Sequence, residues 1–350
     1  MSPNTFFNSF CRAAILLAAV GLMGGAQAAS AQKRLAPAQP NSLKHSDPFA
    51  PVQYCASDFN GDRRTDMAFF NSSTAEWMIH NSDDTVSSLT YGAPGDRPLA
   101  ADYDGDGIVD ITVVHNDGGK LHWQTLFSYG GVISDVPWGL DTDVPVQGDF
   151  DGDGKADCAV WRPSNGFWYI RASSTGELMM FECGLSGDRA VPGDYDGDGR
   201  TDAATFRPGD NTFYLYSGSD QPLRQQLWQQ PFNKDNASFV PADYDSDGRT
   251  DFAIFDTKDG LWYILESSTG KYRIEAFEAN SNCAPWETLP CGVSGDAVPA
   301  DYNNDGRIDP AVWNYNDGMV TAHTSSNDLM KLTAEKGLEM TPVSALFAKQ

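Results

Sequence analysis

Aspartate recurs in this chain at a spacing that makes a cage for a hard cation. From Asp102, the residues Asp102, Asp104, Asp106 and Asp110 hold the first, third, fifth and ninth places of a loop, and Ile108 in the seventh can offer its main-chain carbonyl. Alternate residues of a tight loop can turn their oxygens toward one point, and Gly107 in the sixth place permits the bend. Calcium takes six to eight hard oxygens at about 2.3–2.6 Å, which this pattern largely supplies, whereas magnesium keeps its own waters. Transition metals call for His or Cys, and the loops hold neither, Cys158 lying just beyond one of them.

Five further segments repeat the places. They are Asp58, Asn60, Asp62, Arg64 and Asp66; Asp149, Asp151, Asp153, Lys155 and Asp157; and Asp194, Asp196, Asp198, Arg200 and Asp202. The last two are Asp243, Asp245, Asp247, Arg249 and Asp251, and Asp301, Asn303, Asp305, Arg307 and Asp309. The basic residues here stand in the seventh place, where only the carbonyl would serve. A plain Asp-Gly turn needs one or two such residues. Four crowded carboxylates repel one another without a cation. An EF-hand would need a bidentate Glu in the twelfth place and flanking helices. That place holds Phe69, Val113, Val160, Thr205, Ile254 and Val312, all within a strand pattern. The expectation is therefore up to six Ca2+ ions, which would bring the formal charge of −24 to −24 + 12 = −12. The first loop should be weakest, since Arg63 replaces the sixth-place glycine and Asn60 removes a charge; the sixth, with Asn303 and Asn304, comes next.

The elements that must hold these loops follow from the repeat. First-place aspartates are 44, 47, 45, 49 and 58 residues apart, and an aromatic follows each: Phe59, Tyr103, Phe150, Tyr195, Tyr244 and Tyr302. A short strand such as 190–195 leads into each loop. An apolar run follows it, at 67–70, 111–114, 158–161, 203–206, 252–255 and 310–313, apolar at odd and even positions alike, as in a strand covered on both faces. A turn, an aromatic third strand such as 167–170, and a more polar fourth such as 177–182 or 224–229 complete the unit. Four short strands per unit of this length predict propeller blades. The fold class is all-β, a six-bladed β-propeller of four-stranded blades. A seventh blade would need the lead-in and the tail from Leu338 combined, and neither carries an acidic loop or aromatic strand. The tail at 338–347 is instead expected to close the ring on the first blade.

Residues 1–28 read as a cleaved signal peptide, with Arg12, a short apolar run at 13–23 and Ala26-Gln27-Ala28 at the cut. That run is too short to span a bilayer. Residues 29–50 form a flexible lead-in and 51–350 the propeller. The expected location is therefore secreted, periplasmic or extracellular. The acidic balance argues against nucleic acid and anionic membranes as partners. Five cysteines follow the signal; Cys283 and Cys291 are the nearest pair for a disulfide, Cys158 with Cys183 is an alternative within one repeat, and Cys55 is left over.

The Asp-x-Asp-x-Asp-Gly-x-x-Asp loops, and the segment 191–202 followed by Phe206-Arg207-Pro208, resemble the FG-GAP/VCBS-type repeat family over nearly the whole mature chain. The resemblance implies a calcium-binding propeller, working in extracellular binding or adhesion more than catalysis. It also implies metal loops between the first and second strands on a lower face, with partners on the upper face. By that topology Asn71, His115, Arg162, Arg207, Asp256 and Asn314 mark the upper rim. Trp286, in an insertion at 279–292 between Cys283 and Cys291, adds a recognition element. The expected partner is a glycan or a surface protein, bound by a monomer. The five histidines show no ligand spacing and no nucleophile motif is evident, so no catalytic residue is assigned. The alternative is a polysaccharide lyase or hydrolase on the same scaffold.

Overall fold

A strand apolar on both faces needs cover on both sides. The computed structural model describes residues 58–131, 133–217, 224–232, 237–277, 295–314, 318–324, 329–333 and 341–342. It supplies that cover with six four-stranded sheets arranged as a six-bladed β-propeller. Blade 1 holds β1 (Met67–Asn71), β2 (Glu76–His80) and β3 (Val86–Thr90). Blade 2 is β4 (Arg97–Pro98), β5 (Ile111–Asp117), β6 (Lys120–Leu126) and β7 (Ile133–Leu140). Blade 3 is β8 (Val144–Val146), β9 (Cys158–Arg162), β10 (Phe167–Arg171) and β11 (Leu178–Glu182). Blade 4 is β12 (Arg189–Ala190), β13 (Ala203–Arg207), β14 (Thr212–Tyr216) and β15 (Arg224–Leu227). Blade 5 is β16 (Ala237–Phe239), β17 (Phe252–Asp256), β18 (Leu261–Leu265) and β19 (Tyr272–Ala276). Blade 6 is β20 (Gly295–Ala297), β21 (Ala311–Asn314), β22 (Met319–His323) and β23 (Leu329–Thr333). All pairings are antiparallel. The missing strand of blade 1 comes from the tail: β24 (Thr341–Pro342) pairs with β1, Phe69 opposite Pro342 and Phe70 opposite Thr341. The expected closure of the ring by the C-terminal segment is thus present.

Each strand shows its place in the blade. Ala159, Val160 and Trp161 of β9 are buried in succession, so neighbours cover both faces. On β10 the burial alternates, with Trp168 and Ile170 inside and Phe167, Tyr169 and Arg171 half-buried. The third-strand tryptophans Trp77, Trp123, Trp168 and Trp262 are fully buried. Three of their indole N–H groups donate to carbonyls near the end of the outer strand or just past it, at Trp138, Tyr91 and Cys183. The aromatic after the first aspartate has a structural reason too. The hydroxyls of Tyr103, Tyr195, Tyr244 and Tyr302 each donate to the carbonyl four residues earlier, at Leu99, Val191, Val240 and Val298, pinning the inner strand to its own loop.

Two expectations need correction. The inner strand expected at 190–195 is shorter, running Arg189–Ala190 with one further bridge between Gly193 and Asp202. Between them the Val191 N–H still donates to the Ala204 carbonyl, at 2.8 Å. Cys158 and Cys183 do not form a disulfide; both are thiols. Cys158 stands opposite Arg171 at the loop end of blade 3, whereas the Cys183 N–H reaches the Gly166 carbonyl at the other end. Four intervening residues of strand separate the two ends by roughly 13 Å, beyond the reach of a disulfide. Cys55, Cys283 and Cys291 lie outside the described residues.

The turn between β9 and β10 packs hard on the following connection. Gly166 has φ +74°, and a Cβ there would stand 2.2 Å from the Gly184 carbonyl oxygen. Gly166→Ala is expected to lower stability by about 2–4 kcal/mol, read as a shifted urea midpoint, because it adds a main-chain clash to backbone strain.

Candidate metal centres and the opposite rim

In blades 2 to 6 the acidic loop joins the first two strands, and in blade 1 it leads into β1, so all six lie at one end of the propeller. The loop of blade 3 shows how it closes. The N–H groups of Gly152 and Asp153 donate to one oxygen of Asp149, at 2.6 and 3.1 Å, and that of Gly154 to the other, at 2.7 Å. Two residues with positive φ, Gly152 and Gly154, make these contacts sterically accessible. Asp157 is buried and fixed from both sides, accepting from the N–H of Phe150 at 2.7 Å and of Ser173 at 2.6 Å. The same two bonds hold Asp66, Asp110 and Asp251, from Phe59 and Ser82, Tyr103 and Ser128, and Tyr244 and Ser267.

The result is four triplets of convergent carboxylates: Asp102, Asp104 and Asp110; Asp149, Asp151 and Asp157; Asp194, Asp196 and Asp202; and Asp243, Asp245 and Asp251. Within each, one oxygen per residue lies within 4.8 Å of the others. These are the first, third and ninth places. The fifth-place aspartates turn elsewhere. Asp106 accepts from the Ile108 N–H and the Ser128 hydroxyl, and Asp153 from the Lys155 N–H and the Ser173 hydroxyl.

Crowding and burial show in the acidities. Desolvation, reinforced by neighbouring aspartates, pushes Asp110, Asp157 and Asp309 up to about 6, and Asp202 and Asp251 up to about 7. Asp66, Asp104 and Asp149 are raised for the same first reason. One oxygen of Asp104 is buried and accepts no hydrogen bond. In blades 3 and 5 the corresponding oxygen accepts from Ser174 and Ser268, but blade 2 has Tyr129 at that point. An unfilled acceptor among carboxylates, in an all-oxygen donor set, fits a hard divalent cation.

Loops one and six are poorer. Asn60 and Asn303 replace the third-place aspartate, and the Asn303 amide donates to Asp305 at 3.0 Å. Arg63 has φ +65° in the first loop and Asn304 φ +57° in the sixth, conformations that favour glycine.

At the other end of the blades a second set of carboxylates is buried. Asp96, Asp143 and Asp188 each stand six residues before a first-place aspartate, a spacing that could have flagged them in the sequence. Each caps its own turn by accepting an N–H, from Ala93, Leu140 and Leu185. Each also holds one of the expected rim residues. His115 Nδ1 is 2.6 Å from Asp96. Arg162 makes two bonds to Asp143, at 2.7 and 2.8 Å, and Arg207 two to Asp188, at 3.0 and 2.9 Å. Their guanidinium groups lie over Tyr169 and Tyr214, 4.3 and 4.1 Å from the ring centroids. The other rim positions differ. The Asp256 side chain is buried and accepts from the Lys258 N–H, Asn71 accepts from the Ser73 N–H, and Asn314 is half-buried at the end of β21. Trp286 lies outside the described residues.

A family model described as an FG-GAP-like repeat matches residues 58–113 and 194–254. These segments are FG-GAP-like repeats. Each FG-GAP-like match opens on a first-place aspartate, Asp58 or Asp194, and runs through the next acidic loop into the strand beyond it. No curated protein matches the chain in sequence. Among solved structures, a streptogramin B lyase is similar at TM-score 0.51 and 12% identity, over 83% of this chain and 86% of that one. A lectin of Agrocybe aegerita, described as recognising non-reducing terminal N-acetylglucosamine, is similar at TM-score 0.52 and 15% identity, over 83% and 80%. At such identities the likeness concerns the propeller fold.

Proposed function

We propose that this protein is an exported calcium-binding propeller that binds carbohydrate, or a glycan-bearing surface protein, on the rim opposite its metal loops and does no chemistry on it. The observation that carries the calcium reading is the convergence of three carboxylates in each of four successive blades, with an orphaned oxygen in one. Calcium bound there would neutralise the carboxylates and staple each loop to the outer hairpin through the ninth-place aspartate. Blades too small to be stable alone would then be held in the ring. Location outside the cytoplasm rests on the leader-like first residues.

The rim suits a polar, partly apolar ligand. Arg162 and Arg207 are held rigid by buried partners and stacked on tyrosines, so little side-chain entropy is lost on contact. Leu140, at the end of β7, and Leu185, in the connection after β11, are exposed at 41% and 58%. The lectin that shares the fold is an example of a propeller-like scaffold used for sugars. The His115–Asp96 pair favours a second reading, acid–base chemistry, since Asp96 orients the ring and leaves Nε2 to face a substrate.

The test has two arms. Elemental analysis of the purified mature chain, with thermal unfolding in EGTA, reads calcium: bound metal and a fall in Tm on chelation are expected. Glycan-array binding then reads the rim. Arg162→Ala is expected to weaken binding at least about tenfold, the scale of a lost charge-assisted contact, with no sugar consumed. Turnover of a polysaccharide that His115→Ala abolishes would replace the binding reading with the enzymatic one.

A further inference from the structure

The acidic loops are not independent of one another. In blades 2 to 6 the eighth-place N–H of the loop donates to the first-place carbonyl of the loop in the preceding blade. Val109 donates to Asp58 at 2.8 Å, Ala156 to Asp102 at 2.7 Å, Thr201 to Asp149 at 2.7 Å, Thr250 to Asp194 at 2.6 Å and Ile308 to Asp243 at 3.2 Å. The acceptor is the main chain of one metal-binding residue, and the donor immediately precedes the buried ninth-place aspartate of the next site. Side chains reinforce the links. The seventh-place Lys155, Arg200 and Arg249 lie against Gly105, Gly152 and Gly197, and the Ser246 hydroxyl donates to the Gly306 carbonyl. Ordering one loop therefore places an anchor of its neighbour.

At the seam between blades 6 and 1 the link changes character. There the donor is the hydroxyl of Thr65, which reaches the Asp301 carbonyl at 2.6 Å. Both flanking loops are the ones with asparagine in the third place; Arg63 and Asn304 in them hold positive φ, as Ser246 does in the blade 5 loop. The first sheet is completed by β24, which follows β23 of blade 6 along the chain and meets β1 over two residues, Thr341 and Pro342.

Building on the calcium reading above, we propose that the six loops form one coupled ring with a built-in latch. The four loops of blades 2 to 5 fill together at low calcium, and the blade 6–blade 1 seam closes only at higher calcium. The four full triplets are contiguous, so each supports the next through a main-chain bond. The two poorer loops adjoin each other at the one link that depends on a side chain. A fall in calcium would then open the ring at a defined place while an arc of four blades stays intact.

Hydrogen exchange of the full mature chain across a calcium titration tests this. Loops 102–110, 149–157, 194–202 and 243–251 are expected to gain protection together, and loops 58–66 and 301–309 at higher calcium. Thr65→Val should move the seam loops to roughly fivefold higher calcium, the equivalent of one neutral hydrogen bond, and leave the other four in place. Thr250→Val is the control, because its link is made by the main chain and should survive. Thr65→Ser should behave as wild type, and Arg63→Gly should bring the seam to lower calcium, which keeps the test decisive if Thr65→Val folds poorly. Simultaneous protection of all six loops, or equal responses to Thr65→Val and Thr250→Val, overturns the latch. Protection of no loop at any calcium concentration instead overturns the calcium reading on which it rests.

Discussion

Asp157→Ala is expected to destabilise the protein by about 2–4 kcal/mol even in EGTA, whereas Asp151→Asn should cost less than about 0.5 kcal/mol there. Asp157 is a structural keystone before it is a ligand. It accepts the buried Phe150 N–H and the Ser173 N–H, tying the loop of blade 3 to the outer hairpin of the same blade. Alanine leaves both donors without a partner, and a buried unsatisfied polar group costs about 1–3 kcal/mol. Asp151 is half-exposed and accepts from the Asp153 N–H with one oxygen and from the Ser174 hydroxyl with the other; asparagine can keep the Ser174 contact, and the Asp153 N–H retains its bond to Asp149. Removing its charge also relieves repulsion among the three carboxylates. Calcium adds a second effect: Asp151→Asn loses an anionic ligand, so its gain in Tm on adding calcium shrinks although it costs little in EGTA. Urea midpoints in EGTA and in excess calcium measure both terms. If Asp157→Ala were no more harmful than Asp151→Asn in EGTA, the keystone role would be lost.

The loops, the blade number and the closing tail were legible because they depend on spacing along the chain. Six sets of aspartates in register, each followed by a run that is mostly apolar at odd and even positions alike, leave few folds open. The outer-hairpin serines were legible in principle, since Ser-Ser-Thr-Gly recurs at 173–176 and 267–270, but their donors act across a turn that no local rule connects to the loop. The pairing of Arg162 with Asp143 and Arg207 with Asp188 was hidden for a similar reason. One member lies in the turn before the inner strand and the other at the end of the second strand, 19 residues further on, so the rim arginines look free when the second strand is considered alone. Least legible was the bond from Thr65 to Asp301, which spans 236 residues and exists only because the ring closes. The fourth-place residues Ser246 and Asn304 also hold positive φ, at +60° and +57°, although only the sixth place signals a bend through glycine in the blade 5 and blade 6 loops.

The second large effect is a reversal of the pH dependence of stability by calcium. Burial raises Asp110, Asp157 and Asp309 to about 6 and Asp202 and Asp251 to about 7, against 3.8 for the ordinary carboxyl. A group more acidic in the unfolded chain than in the folded one binds its proton more tightly when folded. Its contribution is fully present below the unfolded pKa and is lost as pH rises through the folded value. In EGTA the protein should therefore become less stable between about pH 5 and about pH 8, by up to about 1.4 kcal/mol per pH unit for each proton released. Repulsion within a chain of formal charge −24 acts in the same direction. Calcium requires the same carboxylates ionised, so protons and metal compete for them. In saturating calcium the stability should rise over that interval instead, and the rise in Tm on adding calcium should be small at about pH 5 and large at about pH 8. Parallel melting curves with and without the metal decide it. Two curves of the same slope would mean that the buried aspartates are not where calcium binds.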